Sequence, residues 1–322
     1  MRYHLLVLSA VLLLISGCAA EPEAPVVEPE PEVGAPAPGL PDMIVAERGG
    51  FIPEGVEYDT ASGRLLTGSL SEGSIYQIQA DGRVEAVVTD TDLVSSVGIE
   101  VDEPGNRLLV ANSDRDVFGG EATGQAKLGV YDLATGEHIA MVDLAAAIAD
   151  APDDAAYFAN DVAVGDDGTA YVTDTQMNVI YEVSSPDYTA SVLYAFAPGE
   201  GPGLNGIVYH ASGYLLVAGG ESLFKVPLDD PAGISLVTLP ETVGGQDGVV
   251  WAADGRLAIA SNSESRVVAL TSNDDWVTAE LAGVATYEVQ ATTAAAVGDD
   301  IFVVHPHFND EDPPSFERVT FE

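Results

Sequence analysis

The amino-acid sequence predicts an all-β fold, a six-bladed β-propeller. A hairpin phrase, two runs of Val, Ile, Leu and Tyr joined by an Asp- and Gly-rich turn, returns six times. Successive copies begin 43, 63, 45, 42 and 44 residues apart. A period near 43 residues with about four strands per unit is typical of propeller blades, which bury their faces only against neighbouring blades.

Each copy supplies the first two strands of a blade, and further strands lie between copies. The copies read EGVEYDTASGRLLTG from Glu54, VGIEVDEPGNRLLVA from Val97, NDVAVGDDGTAYVTD from Asn160, NGIVYHASGYLLVAG from Asn205, DGVVWAADGRLAIAS from Asp247, and ATTAAAVGDDIFVVH from Ala291. The strands predicted between them are Ser74–Gln79, Leu128–Leu133, Val179–Val183, Ser222–Val226 and Arg266–Leu270.

One closed ring accounts for most of the chain, because six blades need roughly 260 residues. After Ala291 only three strands remain, ending in Ser315–Phe321, so we expect Met43–Ala46 to supply the missing strand. The long second interval carries an insertion within residues 113–127 and a short helix at Leu144–Ile148. We expect the insertion to project from one face near the central axis.

The sequence before the propeller, which we assign to residues 43–322, reads as an export signal and a tether. In residues 1–17, a short basic segment precedes an apolar run that is too short to span a bilayer. The string ISGC, ending at Cys18, resembles the lipobox of bacterial lipoproteins, which implies lipidation of Cys18. The alternative is an ordinary secretory signal. Residues 18–42, rich in Pro and Glu, predict a semi-rigid tether.

These features predict a protein anchored by lipid to a membrane surface of the cell envelope. By resemblance to known lipoproteins, Ala19 after the cysteine favours the outer membrane if the host is Gram-negative. Because Cys18 is the only cysteine, a disulfide framework, a Cys-rich zinc site and an iron–sulfur cluster are excluded.

Charge excludes nucleic acid as a partner. The 322 residues include 11 Lys and Arg against 52 Asp and Glu, a net charge of −41 at pH 7. A phosphate backbone requires clusters of Lys and Arg that this chain cannot assemble. The apolar fraction of 47% is ample for a buried core. The sequence does not predict the oligomeric state.

The first residue of each copy opens the innermost strand of its blade, so we expect these side chains to converge at one mouth of the central channel. In blade order they are Glu54, Val97, Asn160, Asn205, Asp247 and Ala291. The carboxylates and amides among them are hard oxygen ligands that suit Ca²⁺, Mg²⁺ or Mn²⁺. The alternative is that Asn-Gly, Asp-Gly and Asn-Asp are turn pairs without a ligand role.

The sequence resembles the SMP-30/gluconolactonase/LRE family of six-bladed propellers over residues 51–305. The most specific matches are PEGVEYD at Pro53–Asp59, NDVAVGDDGTAYVTDT at Asn160–Thr175, NGIVY at Asn205–Tyr209 and QDGVVW at Gln246–Trp251. The resemblance implies that Glu54, Asn205 and Asp247 bind one divalent cation, with Ca²⁺ favoured and Mg²⁺, Mn²⁺ or Zn²⁺ as alternatives. It also implies that Asn160 belongs to this metal site, where it contacts the metal's water or the substrate.

The activity implied by the resemblance is metal-assisted hydrolysis of a small-molecule lactone or ester. Asp247 would take a proton from the attacking water, and Asn160 would orient the substrate. Family members often carry a substrate-binding arginine shortly before this asparagine, where this chain has Tyr157 and Phe158. These two residues line a pocket for a more apolar substrate or pack between blades. The alternative function is a non-catalytic propeller lipoprotein that binds a ligand or an envelope partner.

Two other groups of polar residues are interpreted without a ligand role. Asn112, Asp114 and Asp116 alternate like the start of a calcium loop but lack its glycine and closing glutamate, so we expect a solvated acidic loop. His305 and His307 are expected at the surface or the rim of the ring.

Overall fold

A computed structural model describes residues 39–120, 122–308 and 312–322. These residues form six β-sheets arranged as the blades of a propeller, which confirms the predicted fold class. The helices of the described residues are 3₁₀ helices at Arg115–Gly119, Ala145–Ala147 and Pro231–Gly233. None of the described helices has the length and apolar character needed to cross a membrane. The signal peptide, Cys18 and the tether up to residue 38 lie outside the described residues.

The first strand along the chain, β1 (Met43–Val45), belongs to the last blade. From the channel outward, blade 1 consists of β2 (Val56–Asp59), β3 (Arg64–Thr67), β4 (Ile75–Ile78) and β5 (Val84–Val88), and blade 2 of β6 (Ser95–Asp102), β7 (Arg107–Ser113), β9 (Lys127–Asp132) and β10 (His138–Asp143). Blade 3 consists of β11 (Tyr157–Val164), β12 (Ala170–Asp174), β13 (Val179–Val183) and β14 (Ala190–Ala195). The short strand β8 (Gly124–Gln125) pairs with the inner edge of β11.

The remaining blades follow the same order. Blade 4 consists of β15 (Leu204–His210), β16 (Tyr214–Gly219), β17 (Ser222–Pro227) and β18 (Ser235–Leu236), and blade 5 of β19 (Gln246–Trp251), β20 (Leu257–Ser261), β21 (Arg266–Thr271) and β22 (Glu280–Thr286). Blade 6 consists of β23 (Ala294–Val297), β24 (Asp300–His305) and β25 (Ser315–Arg318), with β1 outermost. Each innermost strand contacts the innermost strand of the next blade, and β23 contacts β2. The ring is therefore closed around a central channel.

The core lies between the blades. The second strands β7, β12, β16 and β20 are buried along their whole length because other blades cover both of their faces. This burial explains why the second half of several repeated phrases is a continuous apolar run, such as LLVA or YLLVAG, and not an alternating one. The predicted intervening strands correspond to β4, β9, β13, β17 and β21.

The ring closes as the sequence predicts, with the N-terminal strand added to the last blade. Strand β1 pairs antiparallel with β25, with Ile44 opposite Phe316. Arg318 donates from Nε to Asp42 Oδ1 at 2.9 Å and from Nη2 to the Leu40 carbonyl at 2.6 Å. Residues 40 and 42, predicted as the end of the tether, therefore contact blade 6.

Four glycines that follow first-column residues have a packing role. They are Gly55, Gly98, Gly206 and Gly248. None of the four has a positive φ. A Cβ on Gly206 would overlap the Asp247 carbonyl oxygen, and one on Gly248 would overlap Thr293. Gly98, Gly206 and Gly248 lie inside innermost strands, at positions where the pairing register shifts. Gly55 directly precedes the innermost strand β2. The interpretation of Asn205-Gly206 and Asp247-Gly248 as turns is therefore wrong, since both pairs lie inside strands and a small residue is needed where neighbouring blades approach.

The insertion lies at the channel mouth of blade 3. It contributes the helix Arg115–Gly119 and strand β8. Strand β8 pairs in parallel with β11, with Gln125 opposite Phe158. Ser113 Oγ lies 2.8 Å from the Ala159 carbonyl oxygen and 3.0 Å from that of Gln125, and these two acceptors share its one hydrogen. The contact links the end of the segment to blade 3. The helix predicted at residues 144–148 is a single 3₁₀ turn, Ala145–Ala147.

Two expectations about loop residues are wrong. Asn112 is completely buried, accepts from the Val94 N–H and donates to the Asp92 carbonyl, both at 2.9 Å, so it is a structural side chain. His305 is also completely buried, with Nδ1 3.0 Å from the Gln290 carbonyl oxygen, and is not a surface or rim residue. Asn112 and His305 each lie at the end of an apolar strand. The sequence pattern alone does not distinguish a buried strand end from an exposed loop.

Candidate functional site

The four polar residues predicted to converge line one cavity of about 380 Å³ at a mouth of the channel: Glu54, Asn160, Asn205 and Asp247. Glu54 lies two residues before β2, and the other three lie near the start of innermost strands. Each strand presents its residue at the same height because the blades repeat. The structure therefore brings together the whole predicted ligand set.

The sixth first-column position is Thr292, not Ala291 as the repeat alignment predicts. Thr292 lines the cavity and donates from Oγ1 to the Glu54 carbonyl at 3.2 Å. Ala291 is completely buried in an apolar cluster. The contact between Gly248 and Thr293 confirms the corrected register. The sixth copy, ATTAAAV, is too uniform to align to a single residue by its pattern.

Glu54 and Asp247 are buried, at 8% and 6% exposure, and share one environment. Burial, together with the negative charges of Asp247 and Asp161, raises the pKa of Glu54 well above its ordinary value. Burial also raises the pKa of Asp247 to about 7, against the lowering effect of hydrogen bonds to Asn262, Asn205 and Glu54.

Neither carboxylate forms an ion pair with a Lys or Arg in the described part of the chain. Two buried carboxylates side by side are costly unless a proton or a cation compensates their charge. The site therefore favours a bound cation.

Hydrogen bonds to residues outside the ligand set hold Asn160 and Asp247 in place. Asn262 donates from Nδ2 to Asp247 Oδ2 at 3.0 Å. Asn160 donates from Nδ2 to Thr175 Oγ1 at 2.9 Å, and Thr175 donates in turn to the Leu204 carbonyl at 2.6 Å. With its nitrogen engaged, Asn160 has its oxygen available for a ligand. Sequence reasoning missed Asn262 and Thr175, because both follow the second strand of a blade, outside the aligned column.

The donor set fits a hard divalent cation. Over residues 39–120, 122–308 and 312–322 there is no group of three or more His, Cys, Asp or Glu side chains suited to a metal. The site has two carboxylates, and its further donors are amide oxygens. Oxygen ligands of this kind suit Ca²⁺ or Mg²⁺.

A second group of carboxylates lies deeper in the channel, and sequence reasoning missed it. Glu57, Glu100 and Asp161 line a cavity of about 210 Å³ together with Tyr209 and Trp251. Burial raises the pKa of Glu57 to about 8 and that of Asp161 to about 7. The signal was present in the fourth position of the first two copies, EGVE and VGIE, where both residues are Glu.

The wall of the mouth cavity is apolar on the side of the insertion. Phe118, at 61% exposure, packs edge-on against Phe158 with ring centroids 4.7 Å apart. Phe158 is 4% exposed, so it both packs in the core and lines the cavity. Tyr157 packs against the same core cluster and does not line the cavity. Both alternatives for this pair of residues are thus partly correct.

Comparison with solved structures shows the same fold. The chain is similar to the major Malassezia sympodialis allergen Mala s 1, with a TM-score of 0.72 and 18% identity over 88% of this chain and 97% of that one. It is similar to a putative gluconolactonase, with a TM-score of 0.59 and 15% identity over 87% and 93%. It is also similar to luciferin-regenerating enzyme, with a TM-score of 0.61 and 11% identity over 86% and 94%.

No family model matches the sequence, and no curated protein matches it. The structural neighbours nevertheless include a gluconolactonase and luciferin-regenerating enzyme, which confirms the resemblance at the level of the fold. At these identities the likeness establishes a six-bladed propeller, and the reaction has to be argued from the site.

Proposed function

We propose that the protein is a divalent-metal-dependent hydrolase of a small-molecule lactone or ester. The observation that carries this proposal is the buried pair of Glu54 and Asp247 at the channel mouth, joined by Asn160 and Asn205 and without a basic partner among the described residues. A putative gluconolactonase among the structural neighbours supports the reaction class.

In this proposal Glu54, Asn205 and Asp247 hold the cation, with Asn160 beside them. Ca²⁺ is the favoured ion because all the donors are hard oxygens, and Mg²⁺, Mn²⁺ and Zn²⁺ are the alternatives. When bound, the cation supplies a Lewis acid that polarises the carbonyl of the substrate.

The chain's own residues position the water and accept its proton. Asn262 holds Oδ2 of Asp247 in place, and Asp247 accepts a proton from the attacking water. Asn160, fixed by Thr175, orients the substrate or the water through its side-chain oxygen.

We also propose that a lipid on Cys18 tethers the enzyme to a membrane of the cell envelope, the outer membrane if the host is Gram-negative. The pattern of residues 1–18 and the Pro-rich segment that follows support this placement. The test is fractionation of cells that express the wild type or Cys18→Ser. We expect only the wild type in the membrane fraction, and equal distribution would contradict the tether.

Hydrolysis is tested with the detergent-solubilised full chain on 3,4-dihydrocoumarin and 4-nitrophenyl acetate. The protein is first treated with chelator, and Ca²⁺, Mg²⁺, Mn²⁺ or Zn²⁺ is then restored separately. We expect metal-dependent turnover that falls by about 10²-fold or more in Asp247→Asn. The control is Asp254→Asn, which changes an exposed turn.

Two results would contradict the proposal. The first is metal-independent turnover that Asp247→Asn leaves intact. The second is the absence of turnover from a wild-type protein that binds the cation, and it would favour the alternative, a non-catalytic propeller that binds a ligand or an envelope partner.

A further inference from the structure

Arg115 is an unusual cation in this acidic protein because it pairs with no Asp or Glu among the described residues. Of the Arg and Lys residues that the structure describes, all except Arg115 and Lys127 form ion pairs with Asp or Glu. With 52 Asp and Glu in the chain, a guanidinium would ordinarily find a carboxylate nearby. Arg115 lines the mouth cavity, whereas Lys127 does not.

The segment that carries Arg115 is held in place. Asp114 caps the helix Arg115–Gly119 by accepting from the Asp116 N–H at 3.0 Å, and the Arg115 N–H is 3.2 Å from Ser95 Oγ. Strand β8 ties the far end of the segment to β11. The guanidinium therefore extends from a fixed backbone position at the rim of the cavity.

The same segment supplies the apolar wall next to Arg115. Phe118 lies against Phe158, and Leu70 and Val97 extend this wall around the cavity. Glu54 and Asp247, in contrast, are buried at its base. The cavity thus has a basic group at its rim, an apolar side and an acidic base. The apolar side and the basic rim suit a ligand that has an apolar body and an anionic end.

We propose that Arg115 determines specificity by pairing with a carboxylate of the substrate, whose apolar or aromatic body lies along Phe118 and Phe158. A guanidinium offers two parallel N–H donors to a carboxylate, which gives orientation as well as affinity. The proposal rests on the proposed hydrolysis for the reacting end of the molecule. The substrate class is then a lactone or ester that carries a free carboxylate.

The test measures binding, so that it does not depend on turnover. Dissociation constants of 3-phenylpropionate and of its neutral analogue 3-phenylpropionamide are measured by calorimetry with the full-length protein in chelator, so that no cation at the base of the cavity binds the carboxylate. The variants are Arg115→Gln and, as the matched control, Lys127→Gln, which removes a cation that lies outside the cavity and has no ion-pair partner in the described ranges.

We expect the wild type to bind the carboxylate about three- to tenfold more tightly than the amide, as befits a partly exposed ion pair. Arg115→Gln should lose this preference, and Lys127→Gln should keep it. A preference that survives in Arg115→Gln would overturn the proposal, and so would an equal loss in Lys127→Gln or a wild type without preference.

The two proposals fail separately. If the protein discriminates between the ligands through Arg115 but hydrolyses no lactone or ester, the hydrolase proposal fails and the carboxylate subsite stands. If it hydrolyses both neutral and anionic esters with no effect of Arg115→Gln on either binding or kcat/KM, the subsite fails and the hydrolase stands.

Discussion

At the scale of single residues, the channel holds more negative charge than its surroundings neutralise. Five carboxylates face it without an ion-pair partner in the described ranges: Glu54, Glu57, Glu100, Asp161 and Asp247. Burial raises the pKa of each of them, and mutual repulsion adds to the shift for all but Asp247. Burial of this unpaired charge lowers the stability of the folded protein, an expense that is common where residues serve a function.

Because the pKa of Glu57 is raised in the folded protein, this cost in stability should depend on pH. Its pKa rises from 4.5 to about 8 on folding, so between these values the folded protein binds more protons than the unfolded chain. The free energy of unfolding therefore falls as the pH rises through this window. Without a cation, we expect the melting temperature to fall between pH 5 and pH 8.

Glu57→Gln should remove part of this loss, because the amide has no charge to bury. In chelator at pH 8 we expect the variant to be more stable than the wild type by on the order of 1 kcal/mol, or about 2–4 °C in melting temperature, with little difference at pH 5. The control is Glu280→Gln, at an exposed strand end. A variant that is less stable than the wild type at pH 8 would contradict the assignment.

At the scale of elements, the innermost strands depend on glycine where neighbouring blades meet. Gly248→Ala places a methyl group against Thr293 and should destabilise the protein by about 1–3 kcal/mol. Gly119→Ala, with open space around its Cβ, should stay within about 0.5 kcal/mol. Urea unfolding measures both. Equal effects of the two substitutions would show that the blades are not in close contact at Gly248.

Strand β1 closes the ring, so one buried side chain in it should stabilise the whole propeller. Ile44 is 2% exposed and packs with Phe316, whereas the next residue, Val45, is 52% exposed. We expect Ile44→Ala to lower the free energy of unfolding by about 2–4 kcal/mol, and Val45→Ala by less than about 0.5 kcal/mol. Thermal and urea unfolding check the pair, and a negligible effect of Ile44→Ala would mean that β1 is not needed for closure.

At the scale of the whole molecule, the repeat makes the fold predictable. Each blade buries its faces in the same way, so the phrase returns often enough to reveal the number of blades and to align their first residues. The aligned copies alone predict that Glu54, Asn160, Asn205 and Asp247 converge, and all four line one cavity. The alignment fails by one residue at blade 6, where Ala-rich sequence carries no register signal.

The alignment of the repeats does not predict the residues of the site that lie outside the repeated positions. Arg115 and Phe118 reach the cavity from an insertion that belongs to one blade only, and no periodicity indicates where it folds. Asp161 stands where most blades have glycine, so the sequence indicates a turn-like pair there and not a channel carboxylate. Tertiary contacts between blades, which the local sequence does not encode, decide these positions.

The central claim, a cation site at the channel mouth, is tested most directly by the melting temperature of the full-length protein in chelator and after addition of Ca²⁺. The comparison is with a Glu54→Gln/Asp247→Asn double variant, which removes both carboxylates from the base of the cavity. We expect Ca²⁺ to raise the melting temperature of the wild type by mass action and to leave the variant unchanged. In chelator the variant should be at least as stable as the wild type, because it no longer buries two carboxylates. A wild type that does not respond to Ca²⁺, Mg²⁺, Mn²⁺ or Zn²⁺, or a variant that responds equally, would contradict the claim.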